Sequence, residues 1–117
     1  MTARIIDGAR IGKEIREEVR LEVEALKRQG VQPGLAAVLV GDNPASQVYV
    51  RNKIKACQSL GIYSREVRLA KETMRPELLS TVEALNRDDT IDGILVQLPL
   101  PRQIDEAAIL LAVSPQK

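Results

Sequence analysis

Four residues have the types and spacing to do chemistry together. Ser46, Tyr49 and Lys53 recur at three- and four-residue intervals in one stretch, and Gln97 closes an apolar run further along. The chain has no histidine, so acid–base work near neutral pH falls to a lysine, a tyrosine or a carboxylate in a suitable environment. A lysine set among Val50, Ile54 and Leu98 loses water, which favours the neutral amine that a proton-transfer group needs. An amide facing it would hold that amine in one direction. The plainer reading is that Lys53 carries its ammonium out to water, Tyr49 packs its ring with the hydroxyl wet, and Gln97 merely ends a strand. Three polar groups on one face, opposite a strand-end amide, favour the chemical reading.

These residues need a helix and a strand to position them. Asn43 and Pro44 open the helix as cap and first-turn proline, and Gly61 closes it. At about 100° per residue, Val50, Ile54, Cys57 and Leu60 form an apolar face. Ser46, Tyr49 and Lys53 are expected in the middle of that face, within an arc of about 60°. The run 35–40 before it is apolar on both faces, as a central parallel strand requires. After Gly61, residues 62–69 alternate and read as an edge strand. Thr73 is expected to cap a helix with Pro76 in its first turn and Leu78, Val82 and Leu85 inward. A polar loop over 86–90, a strand over 91–98 that presents Gln97 at its end, and a short helix over 104–113 complete the body. Residues 114–117 read as a junction. Ahead of it all, the apolar pair Ile5–Ile6 precedes a helix capped by Asp7 and ending near Gly30, with Ile11, Ile15, Val19, Val23 and Leu26 as its buried stripe. Only Glu22 departs from that pattern.

Strands alternating with helices at this spacing predict an α/β fold: three layers, α/β/α, around a mostly parallel sheet of about four strands with right-handed crossovers. In such a fold the carboxyl ends of the strands line one crevice. Gln97 and the start of the Ser46–Lys53 helix both fall on its rim.

Composition excludes several classes. The 117 residues, 44% of them hydrophobic, suit one domain with a core. A net charge of +1 with interspersed signs leaves no footprint for nucleic acid or an anionic membrane, and the two tyrosines, the only aromatics, make no base-stacking platform. One cysteine and no histidine exclude an intrachain disulfide and the common zinc sets, so the chain reads as metal-free and cytoplasmic. No apolar run is long enough to span a bilayer. Cys57 reads as a small core residue.

The loop Gly41–Asp42–Asn43–Pro44 lies where a nucleotide loop would, yet it matches neither the G-x-G-x-x-G nor the G-x-x-x-x-G-K-[ST] pattern. Tyr-x-x-x-Lys also occurs in short-chain dehydrogenases. Those carry a glycine-rich nucleotide loop in the same domain and a serine well upstream, whereas here the loop is lacking and Ser46 is three residues from Tyr49.

Two longer stretches carry a more specific resemblance. Residues 34–62, with the core Pro44-x-Ser46-x-x-Tyr49-Val50-x-x-Lys53-x-Lys55 and then Gly61-Ile62, resemble the first signature of the bifunctional methylenetetrahydrofolate dehydrogenase/methenyltetrahydrofolate cyclohydrolase family. Residues 93–101, Gly-Ile-Leu-Val-Gln-Leu-Pro-Leu-Pro, resemble its second. The order and separation are right, and weaker similarity runs along the whole chain.

The resemblance implies that residues 1–117 are the amino-terminal catalytic domain, of the kind seen in amino-acid dehydrogenases, and that a carboxy-terminal Rossmann domain binding NADP lies outside this chain. It implies that Lys53 is the acid–base group at the one-carbon bridge and that Gln97 hydrogen-bonds it. Tyr49 would border the pterin and aminobenzoate, Ser46 would support the site, and Leu98 would lend backbone contacts. The reactions implied are NADP-dependent oxidation of 5,10-methylenetetrahydrofolate and hydrolysis of the methenyl product to 10-formyltetrahydrofolate, in a homodimer when full-length. They would serve one-carbon metabolism and purine biosynthesis. No metal is implied. Two departures stand out: Gln103 occupies a position where the family usually has histidine, and the sequence ends at Lys117, where the family continues into an Asp-Val-Asp-Gly segment. Hydride transfer by this stretch alone is therefore not expected. Two other readings remain at this stage: the substrate lobe of a shikimate or amino-acid dehydrogenase, and a non-catalytic interaction domain.

Overall fold

The computed structural model describes residues 2–117. Its centre is β1 (Gly34–Val40), flanked by β2 (Tyr63–Leu69) and β3 (Gly93–Val96) in the order β2-β1-β3, all parallel. Alternation along β1 divides the core. Ala36, Val38 and Val40 face α3 (Arg75–Arg87) and α4 (Glu106–Ala112), sharing a cluster with Leu78, Val82, Leu85 and Ile109. Ala37 and Leu39 point the other way, onto Val50 and Ile54 of α2 (Pro44–Leu60). The three expected layers are present. The path from β1 to β2 runs one way and that from β2 to β3 runs back across β1, so right-handed crossovers put α2 and α3 on opposite faces.

Among the described residues the sheet has three strands rather than about four. Ile5 and Ile6 join no ladder and are 89% and 85% exposed. β3 is shorter than expected because Asp92 is used otherwise: its carboxylate accepts from the Gly34 amide at 2.9 Å and its own amide donates to the Gly34 carbonyl at 2.8 Å. Thr73 does not cap α3. It is buried, and Met74 takes the N-cap position without a side-chain bond, with Pro76 tolerated in the first turn. Asn86, expected in a loop, belongs to the last turn of α3; its side chain donates to the Ala112 carbonyl at 2.8 Å and accepts from the Ser114 amide at 2.9 Å. α4 begins at Glu106, capped by Asp105, rather than at Ile104.

The largest departure concerns α1 (Gly8–Arg28). Its Asp7 cap forms as expected, accepting from the Arg10 amide, but of the predicted stripe only Val23 is buried. Ile11 and Ile15 are exposed because α1 touches the body mainly through its second half, near Gly61 at the end of α2, and Leu26 lies on the outer edge of that contact. The radius of gyration, 16.6 Å, exceeds the value of about 13 Å for a compact chain of this length. An apolar stripe fixes which face of a helix seeks cover; it does not supply the cover.

Candidate functional site

The site is built where β1 gives way to α2. Asn43 accepts from the Ser46 amide at 3.1 Å, Pro44 occupies the first turn, and Gln47 reaches back to the Asp42 carbonyl at 3.1 Å. Gly61, in the left-handed region at φ 79°, closes the helix and sends its amide back to Gln58 and that of Ile62 to Cys57. These caps set the phase of α2. Replacing the cap by Asn43→Ala should cost about 1 kcal/mol, read as a lowered midpoint in chemical denaturation; an unchanged midpoint would mean that the Asn43 contact adds nothing.

That phase differs from the sequence expectation in one respect. Ser46 is buried with Val50 and Cys57, whereas Tyr49 and Lys53 lie to one side of the buried row and are exposed, Tyr49 by 56%. They occupy a shoulder of the helix turned toward the strand ends, not the middle of the face packed on the sheet. The desolvation expected at Lys53 is not provided by this lobe: Ile54 is only half-buried and Leu98 is exposed.

The other half of the site is the exit of β3. The Gln97 amide nitrogen of the main chain donates to the Val38 carbonyl at 2.9 Å, extending the ladder one residue beyond the strand. Its side-chain Nε2 donates to the Leu98 carbonyl at 2.9 Å, which turns Oε1 outward. Lys53 Nζ donates to that Oε1 at 2.9 Å. The structure thus brings Lys53 and Gln97 together across the rim, with Tyr49 one turn before Lys53 and Leu98 next to Gln97. Ser46 is beneath them, in the core. The Leu98–Pro99 peptide is cis. An amine donating one hydrogen bond to a fixed amide, with its remaining hydrogens toward solvent, can exchange a proton with a molecule placed on the rim.

Cys57 is buried, and burial pushes its thiol up from the usual cysteine range, which suits a core residue and not a nucleophile. Among the described residues no cluster of three or more Asp, Glu, His or Cys could hold a metal ion, and no helix is long and apolar enough to cross a membrane. Pro44 has no amide hydrogen and the Asn43 side chain already holds the Ser46 amide, so two of the first-turn donors a phosphate would use are not on offer at the β1–α2 turn. Sequence reasoning gave Gln103 no role that follows from its chemistry. In the structure its Nε2 donates to the carbonyls of Lys71 at 2.7 Å and Thr73 at 3.1 Å, contacts between loops distant in sequence that no local pattern announces.

The fold defines a parallel α/β domain, and its lysine–amide pair lies at the carboxyl ends of the strands, where open α/β sheets bind their ligands. The chain belongs to the tetrahydrofolate dehydrogenase/cyclohydrolase family: residues 6–117 match its catalytic domain. The bifunctional protein FolD of Koribacter versatilis is 57% identical over 117 residues, covering 100% of this chain and 38% of that protein. FolD of Moorella thermoacetica is 54% identical over 117 residues, with 42% of its length covered. Among solved structures, the FolD methylenetetrahydrofolate dehydrogenase/cyclohydrolase of Campylobacter jejuni superposes with a TM-score of 0.93 at 44% identity, covering 95% of this chain and 39% of that one. The Trypanosoma brucei N5,N10-methylenetetrahydrofolate dehydrogenase-cyclohydrolase, solved with NADP cofactor and an inhibitor, gives 0.92 at 36% identity, covering 100% and 41%. The chain therefore spans about two fifths of the length of the relatives it matches.

Proposed function

We propose that this chain is the folate-side catalytic wall of a longer enzyme that oxidises 5,10-methylenetetrahydrofolate with NADP and hydrolyses the methenyl product to 10-formyltetrahydrofolate. The observation that carries this reading is the 2.9 Å hydrogen bond from Lys53 to Gln97, which joins the two signature stretches at one point on the rim.

In this reading Lys53 is the acid–base group at the one-carbon bridge. Hydrolysis adds water to the cationic methenyl carbon and then opens one of its two C–N bonds as the formyl C=O forms, so both protons leave the water oxygen, one ending on the departing nitrogen and the other released. An amine beside that carbon can mediate both transfers. Gln97 aims the amine, Tyr49 borders the ring system from the same helical row, Leu98 offers backbone contacts, and Ser46 supports the helix start from below.

The remaining wall belongs to chain outside these 117 residues. The exposed stripe of α1 and the open side of Lys53 support this, since both are surfaces that further polypeptide would cover. NADP would be held by a carboxy-terminal Rossmann domain, a reading supported by the lack of a glycine-rich loop at 41–44 and by the two fifths of its relatives' length that the chain spans. Residues 1–117 form the catalytic domain in this scheme. Cytoplasmic residence, a homodimer when full-length and a place in purine biosynthesis belong to the same reading.

The test is an assay of the full-length form with methylene- and methenyltetrahydrofolate, set against shikimate and amino acids as competing substrates. NADP-dependent oxidation and hydrolysis of the folates alone is the expected result. Turnover of shikimate or an amino acid, or of nothing, would replace this reading with a related dehydrogenase lobe or an interaction domain.

A further inference from the structure

The direction of the Gln97 amide depends on the segment that follows it. Leu98 and Pro99 are exposed, and the chain is next fixed at Leu100, which is buried and donates its amide to Glu106 Oε1 at 3.1 Å. A turn follows, closed by the Ile104 amide on the Pro101 carbonyl, with Ile104 buried. From this turn Gln103 extends across to the loop after β2. There its Nε2 holds the carbonyls of Lys71 and Thr73, and the loop is itself closed by the Thr73 amide on the Ala70 carbonyl. One side-chain amide thus joins the carboxyl-end loops of β2 and β3.

We propose that Gln103 is a positioning residue for the Lys53–Gln97 pair, fixing the exit of β3 by tying it to the loop after β2. The inference rests on the assignment of Lys53 and Gln97 under the proposed function. The Gln103 side chain bonds Lys71 and Thr73 and neither member of the pair; it acts through the backbone from which Gln97 projects. Loss of its amide frees the Lys71 carbonyl, in an exposed contact that water can reach, and the partly buried Thr73 carbonyl, while the apolar cluster beneath keeps its side chains, so the fold should survive. What changes is the spread of positions open to Gln97, and displacement of a reacting group by about 1 Å from a remote change can cost about 100-fold in rate.

The experiment is steady-state hydrolysis of methenyltetrahydrofolate by the full-length form. Gln103→Ala should lower kcat by about 10- to 100-fold with KM changed less than about threefold. Gln103→His, which keeps a ring N–H donor, should recover most of that loss, whereas Gln103→Glu, of the same shape but without a donor, should not. In a Gln97→Ala background, Gln103→Ala should add less than about twofold, because residues acting through one another are not additive. A kcat for Gln103→Ala within about twofold of the parent, or full multiplication of the two losses, overturns the proposal. Should Gln103→Ala not fold, Gln103→Glu carries the same comparison. Lys53→Met in the same assay separates the levels: if it keeps hydrolysis the assignment of the site fails, and if it is inactive while Gln103→Ala is unaffected only the role of Gln103 fails.

Discussion

Lys53→Met in the full-length form should lower methenyl hydrolysis by about 1,000-fold, the middle of the range for a positioned general acid–base group, while leaving the unfolding midpoint almost unmoved. The two halves of that expectation have separate causes. Lys53 is exposed in this domain and its bond to Gln97 lies on the rim of a crevice that must stay open to substrate, so the Gln97 amide can turn to water when the amine is removed and the stability cost stays below about 1 kcal/mol. Methionine matches the stem in length and keeps its contacts with the helix surface, so the loss is of the amine and not of the packing. Lys53→Arg should not rescue, because a guanidinium stays charged at any working pH and cannot pass through a neutral state. Hydrolysis retained within about tenfold in Lys53→Met would remove Lys53 from the acid–base role and leave Gln97 as a strand-end amide.

The fold was legible wherever local chemistry decides the outcome. Asn43, Pro44 and Gly61 bound α2 because a cap, a proline and a left-handed glycine act within one turn of themselves. The run 35–40 read as a central strand because both its faces are apolar, and both are in fact covered. Where distant parts decide, the sequence was a weaker guide. Asp92 shortens β3 by bonding Gly34, the Asn86 side chain leaves α3 for the end of α4, and Gln103 reaches the loop after β2; each partner lies tens of residues away. The site shows the same division. The row Tyr49–Lys53 follows from helical spacing, and its meeting with Gln97 follows from strand ends sharing a rim. The degree of burial did not follow, because spacing gives direction around a helix but not the depth of the layer above it. Hence Ser46 lies deeper than Tyr49 and Lys53, and α1 has its stripe without its cover.

Gly34→Ala should destabilise the domain by about 3 kcal/mol, near the upper end for forcing extra atoms into packed structure. Gly34 is the first residue of β1 and is buried; a Cβ there would overlap the Thr90 carbonyl oxygen and lie 3.2 Å from Cδ2 of Tyr63. The oxygen is backbone, in a turn fixed by Asp88, whose carboxylate accepts from the amide and hydroxyl of Thr90. It cannot yield without disturbing Asp92, which grips Gly34 from both its amide and its carboxylate. For a domain of this size the loss should appear as a fall of about 10–20 °C in Tm. Gly12→Ala makes the opposite comparison: nothing lies within 4 Å of its added Cβ, and the position is inside α1. It should be neutral or stabilising by up to about 1 kcal/mol, since alanine is the better helix former. A Gly34→Ala variant within about 1 kcal/mol of the parent would show that the turn can open. The consequence reaches the rim, because β1 leads within three residues to Asn43, the cap of α2, and pairs through Val38 with the Gln97 amide. Displacing its start against residues 88–92 therefore moves the two strand ends that bring Lys53 to Gln97.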